Sequence, residues 1–336
     1  MSCEIFGPRE KNRERMAPKN STTAEAENTY LTKTSTNGRN TERPPLQIVW
    51  LNVYLITALH GMALYGLYIL PRTKPWTWVW MGVCFILGGA GITIGAHRLW
   101  SHRSFKATWS LRLFLMLMNC MSAQNDIFEW VRDHRVHHKY SETDADPHNA
   151  KRGFFFSHVG WLMVRKHPDV RTKGKQIDMS DLYADNIVMF QRRHYKPLTI
   201  IFNIILPTLV PWYFWNEALW NSFFVCFAFR YAYLLNVTWS VNSFAHIWGS
   251  RPYDEAISPS QNLVANLGTL GEGYHNFHHC FPQDYATSEL GTYINLSKFF
   301  IDCFALVGLA YDLKTTSKEA VLQRRRRTGD LRNQKH

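Results

Sequence analysis

Three histidines fall within five residues at His134, His137 and His138, inside Asp133–Tyr140, DHRVHHKY. A second H-x-x-H-H follows at His275, His278 and His279, and HRLWSH adds His97 and His102. On a helix, positions i, i+3 and i+4 share one face, so each box is expected to aim three ring nitrogens at one point. Neutral imidazole is a ligand for iron, zinc, copper or nickel. Eight such donors exceed the about four to six that one ion takes, so the count implies two ions. A lone histidine is ordinarily a core or surface residue. That reading holds for His60, His148, His158, His167, His194 and His336, but two identical boxes and an H-x4-H beside apolar segments are too specific for it.

The elements that must hold these boxes are membrane helices. The mean hydropathy of -0.25 averages polar ends against long apolar runs. Runs at 46–70, 76–96, 197–215 and 218–241 each approach the ~20 apolar residues that span a bilayer. The fold class is therefore all-α: four transmembrane helices under a cytosolic helical cap that carries a histidine-rich dimetal site. Residues 1–45 are charged and polar, without a signal-peptide core, and are expected to be a disordered tail. The sequon at Asn20 would then face the cytosol. The membrane domain covers 46–313, and a flexible basic tail covers 314–336. Leu111–Met121 is apolar but too short to span, and is expected to be re-entrant or interfacial; Tyr293–Leu313 reads as an interfacial helix. The segments 125–196 and 242–290 read as soluble. Four spans leave both termini and the long loop on one side. Residues 98–196 hold 17 Lys and Arg, which puts that side, with every box, in the cytosol.

The net charge of +12 fits this topology and anionic lipid or phosphate partners, with no nucleic acid. The six cysteines, Cys3, Cys84, Cys120, Cys226, Cys280 and Cys303, form no C-x-x-C and read as reduced thiols. Arg230, mid-span, must face the bundle or a cavity. Asn52 fits either a ligand contact or an interhelical hydrogen bond.

A metal pair at the mouth of a bundle suits catalysis better than transport, whose sites lie near the bilayer midplane. The zinc-protease H-E-x-x-H is absent, as is the Glu-x-x-His of soluble di-iron bundles. Redox iron that activates O2 fits best. Asp133, Asp144, Asp146, Glu129 and Glu272 flank the boxes, where they can orient imidazoles or form surface ion pairs.

HRLWSH, RDHRVHHKYSETDADPHNAKRGFFFSHVGW, NSFAHIWG, GEGYHNFHHCFP and RRRRTGD, in this order with four spans, resemble the membrane acyl-CoA desaturases of the stearoyl-CoA delta-9 family. The resemblance covers about 46–330 and is similar in tone to the insect branch. It implies an endoplasmic reticulum enzyme that makes a cis double bond, at delta-9 or delta-11, in a saturated long-chain acyl-CoA. O2 would accept two electrons from substrate and two from cytochrome b5, which is served by an NADH-dependent reductase. The resemblance adds His246 as a ninth ligand to two Fe2+ ions, with Asn242 holding a metal-bound water. Residue types alone do not choose His246 over His194. Recombinant material could carry zinc instead. No HPGG haem motif is present, so the b5 donor is expected to be a separate protein. A hydroxylase or conjugase on the same scaffold, and a non-catalytic metal-binding membrane protein, are the alternatives.

The acyl-CoA phosphates require surface cations, and Arg132, Arg165, Lys166, Arg171, Lys173 and Lys175 are available, the last three equally as a solvated face. The resemblance assigns substrate contacts to Asn52, Asn125, Arg132, Asp133, Arg165, Lys166 and Trp239. It also puts the closed end of an acyl tunnel near Phe85 and Gly89, which share a helix face. The Gly88-Gly89 pair is equally suited to close helix packing.

Overall fold

A computed structural model describes residues 45–269, 271–290 and 294–330. The polar N-terminal stretch with its sequon, Cys3, His336 and the last residues of the basic tail lie outside the described residues. Four helices are long and apolar enough to cross a membrane: α1 Trp50–Arg72, α2 Pro75–Ser101, α5 Asn186–Trp215 and α6 Leu219–Ile247. They expose Leu51, Tyr54, Leu64, Trp212 and Tyr213 outward, as a lipid-facing surface requires. The third helix starts well before the expected 197, because Asp185 caps it through the Ile187 N–H and the amphipathic 186–196 is helical up to a kink at His194. The only ladder among the described residues pairs β1, Lys106–Ala107, with β2, Ala310–Tyr311.

Helix α3, Trp109–Ser122, contains the segment expected to be re-entrant or interfacial. It packs between α2 and α5, with Leu111, Leu115, Met116, Cys120 and Met121 buried. Gly91 permits this approach, since a Cβ there would lie 2.3 Å from the Met118 and Asn119 backbone. Arg230 is 1% exposed and donates to the Met121, Cys226 and Asn203 carbonyls and to Asn203 Oδ1, at 2.8–3.1 Å. It thus faces the bundle and satisfies the end of α3, while the Tyr231 hydroxyl donates to Ala123 O. On the side opposite the histidines, Glu217 Oε2 accepts from the Lys74 N–H and from Thr77 Oγ1, tying the two short connections together.

The cap comprises α4, Ile127–Tyr140, and the later helices α7, Leu263–Thr269, α8, His275–Cys280, α9, Leu296–Leu306, and α10, Lys318–Thr328. Helix α10 corrects the expected flexible tail. Ser317 caps it, Val321 is buried against Tyr253 and Phe277, and Arg324 and Arg325 pair with Asp254 and Glu289. The five described cysteines are free thiols.

Candidate metal centre

Asp126 caps α4 by accepting the Glu129 N–H, which starts the helix two turns before its histidine box. His134, His137 and His138 then project toward α8, whose box faces them. The expectation that each box converges on one point needs correction. His97, His102, His134, His138 and His278 form one group of ring nitrogens, and His137, His246, His275 and His279 form another. Within each group the donor atoms lie within 4.8 Å of one another. Each box therefore sends its i and i+4 residues to one group and its i+3 residue to the other. The cause is helical geometry: adjacent positions differ by about 100° around the axis, so His137 and His138 diverge. Two boxes facing each other exchange their middle members.

His97 and His102 are five apart, which an α-helix would turn to different faces. The end of α2, Gly91–Ser101, is wound in wider π turns, and the His102 N–H donates to the His97 carbonyl at 3.2 Å. Five residues then complete about one turn, and the two rings lie 5.0 Å apart.

The ring nitrogens converge as ligands around a shared cation would. The His97 Nδ1–H donates to Glu272 at 2.9 Å, so its Nε2 presents a lone pair, 3.0 Å from His278 Nε2. Likewise His246 donates through Nδ1 to Glu142 at 2.8 Å, while its Nε2 lies 3.0 Å from His275 Nε2. His137 donates through Nδ1 to Asp146 at 3.0 Å. A separation of about 3 Å suits neighbouring ligands that share one ion at about 2.1 Å. The residues fit two metal ions. Burial pushes the pKa values of His102, His134, His138, His275, His278 and His279 well below the ordinary imidazole range, and neighbouring rings add to it. These six rings are held in the neutral form. Burial raises Glu272, but Arg98 and His97 outweigh it and bring it down to about 2. Asp146 is held below the carboxylate range in the same way, by His137 against its own burial. Buried Arg98 joins Glu272, the Tyr285 carbonyl and Thr287 Oγ1.

Two cavities meet at this centre, and a charged basin adjoins the outer one at Asp133. The inner cavity is apolar, lined by Phe85, Gly89, Leu234, Val237 and Phe300, and ends on His97, His134, His137 and His275. The outer cavity is lined by Asn52, Asn125, Asp133, His148 and Trp239. Trp130, His134, Thr238 and Asn242 line both. Asp133 also lines the basin, with Arg132, Lys166, Arg171, Lys175 and Arg192. The path from cationic surface to apolar interior is thus bordered by shared residues and passes the two histidine groups.

The fatty acid desaturase family model matches residues 73–292. The chain belongs to the fatty acid desaturase family. It is 58% identical over 287 residues to the stearoyl-CoA desaturase of Homo sapiens, covering 85% of this chain and 80% of that protein. It is 58% identical over 289 residues to the acyl-CoA desaturase of Cyprinus carpio, covering 86% and 88%, and 56% identical over 283 residues to stearoyl-CoA desaturase 5 of Bos taurus, covering 84% of each.

In this desaturase chain the structure gathers all eight box histidines and His246. His194 stays outside, bonded to its own helix at Phe190 O. Asn242 lines both cavities beside His134. Asn52, Asn125, Asp133 and Trp239 line the outer cavity, Arg132 and Lys166 the basin, and Arg165 is exposed and lines neither. Asn52 also donates to Leu162 O at 2.7 Å. Phe85 and Gly89 line the inner cavity, whereas Gly88 faces packed neighbours, with Leu234 Cδ2 3.0 Å from a built Cβ. Of the flanking carboxylates, Asp146 and Glu272 hold imidazoles. Asp133 pairs with Arg132 and Lys166, and Glu129 with Arg132. Glu142 and Arg98 were not legible as site residues. Glu142 sits four residues past His138, and nothing in the spacing of SETDAD says which acid turns inward. Arg98 adjoins His97, and an arginine within an apolar run was the available signal.

Proposed function

We propose that this chain is a delta-9 acyl-CoA desaturase, an O2-dependent oxidoreductase that removes two hydrogens from adjacent methylenes of a saturated long-chain acyl-CoA. The observation that carries the reading is the continuity of three compartments: a cationic basin, two all-histidine groups and an apolar cavity. The polar half of an acyl-CoA matches the first and its hydrocarbon chain the last.

Two iron ions are the assigned occupants, and would be held by His97, His102, His134, His138 and His278, and by His137, His246, His275 and His279, with Asn242 assigned to a metal-bound water. Nine imidazoles suit iron, and zinc suits the same donors, so recombinant material could carry it. Bound iron supplies the O2-dependent redox chemistry. The protein supplies position. Glu272, Asp146 and Glu142 each fix one ring by accepting its Nδ1 proton, which leaves Nε2 free to bind. Arg132 and Lys166 with Asp133 receive the CoA head, with Arg165 beside them. Asn52, Asn125 and Trp239 contact the arm between head and centre. Phe85 and Gly89 line the cavity where the chain ends, and the apolar walls keep water from the reacting methylenes.

The electron donor is cytochrome b5 with its NADH-dependent reductase, drawn by the basic face. The enzyme resides in the endoplasmic reticulum membrane with both termini and the centre cytosolic, a reading supported by the lysines and arginines on the histidine side. The test is metal analysis with turnover on the purified chain. Two irons per chain and an O2- and b5-dependent monounsaturated product are expected. A hydroxylated product, or turnover without iron, would overturn it.

A further inference from the structure

The stretch from Ala256 to Gly271 carries no charge, although it lies in the otherwise charge-rich part of the chain after the fourth span. Its helix, α7, turns Leu263, Val264 and Leu267 outward, 64%, 64% and 55% exposed. These three large apolar side chains lie on one face of seven residues. The opposite face is firmly seated. Ala265, Asn266 and Thr269 are buried, Asn262 accepts the Ala265 N–H, and Asn266 donates to the Ile294 carbonyl and accepts the Gly273 N–H. The outward face is therefore not a packing failure of a loose segment.

The depth of α7 shows what covers that face. A Cβ built on Gly268 would lie 3.5 Å from Val237 Cγ1 and Cγ2, so α7 abuts α6 at Val237. Helix α6 runs from Leu219 to Ile247, about 43 Å at 1.5 Å per residue, and outruns a hydrocarbon core of about 30 Å. With Leu219, just past the short connection at Asn216–Glu217, placed at the far hydrocarbon boundary, Val237 lies about 27 Å along the helix and falls at the boundary on the histidine side. Gly268 and Thr269 also line the inner cavity, which makes α7 its wall at that level.

We infer that α7 is a membrane-contacting helix: its Leu263, Val264 and Leu267 face lies against lipid acyl chains at the boundary of the leaflet nearest the histidines, with its other face closing the inner cavity. At this depth an exposed face of large apolar side chains meets hydrocarbon, and the absence of charge from the helix removes the cost of placing it there. The inference stands on depth and exposure, and does not depend on what the cavity binds.

The test uses the full chain in bilayer vesicles. Leu267→Cys is labelled with a thiol-reactive bimane, and the unsubstituted chain labelled alongside gives the contribution of native thiols. Lipids brominated on their acyl chains should quench the Leu267 label several-fold more than a label at Tyr183→Cys, which is 60% exposed on the basin rim. Aqueous iodide should show the reverse order. Iodide quenching at Leu267 as strong as at Tyr183, with no effect of brominated lipid, would overturn the assignment. Val264→Cys provides the same readout should Leu267→Cys fail to fold, and the outcome is separable from activity because neither residue lines a cavity.

Discussion

Gly89→Leu should convert a long-chain enzyme into a shorter-chain one. Gly89 lies eight residues before His97 on α2, about 12 Å along the helix. With carbons 9 and 10 at the metals, an eighteen-carbon chain has eight carbons beyond them, about 10 Å at about 1.2 Å per bond, the advance of an extended chain. Its end therefore reaches the level of Gly89. A Cβ at Gly89 would lie 3.9 Å from Leu234 Cδ1, an ordinary contact, but the three further carbons of Leu must occupy the cavity. Displacing two to four substrate methylenes at about 0.8 kcal/mol each costs about 1.6–3.2 kcal/mol. That corresponds to a fall of about 15- to 200-fold in kcat/KM for the eighteen-carbon substrate. The fourteen-carbon substrate should be nearly unaffected. Gly89→Ala should cost at most about fourfold, one methylene's worth. The assay is competition among acyl-CoAs of fourteen, sixteen and eighteen carbons, with products resolved by mass. An unchanged product ratio, or an equal loss at every length, would refute the reasoning.

Other outcomes follow from the same geometry. His137→Ala should abolish product and lower bound iron from about two to about one per chain, because His137 belongs to only one of the two all-histidine groups; metal analysis of the membrane-extracted protein checks it. Glu142→Gln should weaken metal retention by about 10- to 100-fold without removing a ligand, as loss of an imidazole's orienting partner does, and chelator titration reads it. Arg132→Ala should raise KM for acyl-CoA while kcat stays within about twofold, since its contacts lie in the basin away from the ring nitrogens, and steady-state kinetics separates the two. Gly91→Ala should destabilise the fold by several kcal/mol, with its Cβ driven into the Met118 and Asn119 backbone, measured as a loss of thermal stability in detergent.

The four spans were legible because bilayer thickness imposes a length and composition that local sequence carries. Histidine spacing gave the presence of two metal groups by counting donors. It did not give their membership, since a box read alone converges on one point and only the facing box reveals the exchange of His137 and His278. The π turns that bring His97 and His102 together leave no mark in HRLWSH, whose spacing of five an α-helix would divide between two faces. The resemblance pointed to His246, and the structure puts it with His275, whereas Glu142 depends on a loop whose fold the sequence does not announce. Leu111–Met121 has the same apolar composition in a core as at an interface, and only the neighbours decide. The basic tail was misread for a related reason: Arg324 and Arg325 look solvated until Asp254 and Glu289 are brought beside them.

The most direct test of the central claim is fatty-acid analysis in yeast that lacks its own desaturase. Cells expressing this chain are fed single saturated acids, and the double bond is located by derivatisation and mass spectrometry. Growth on a delta-9 monounsaturated product from sixteen- or eighteen-carbon acids is the predicted result. A hydroxylated product, or none with iron bound and donor supplied, would contradict the account.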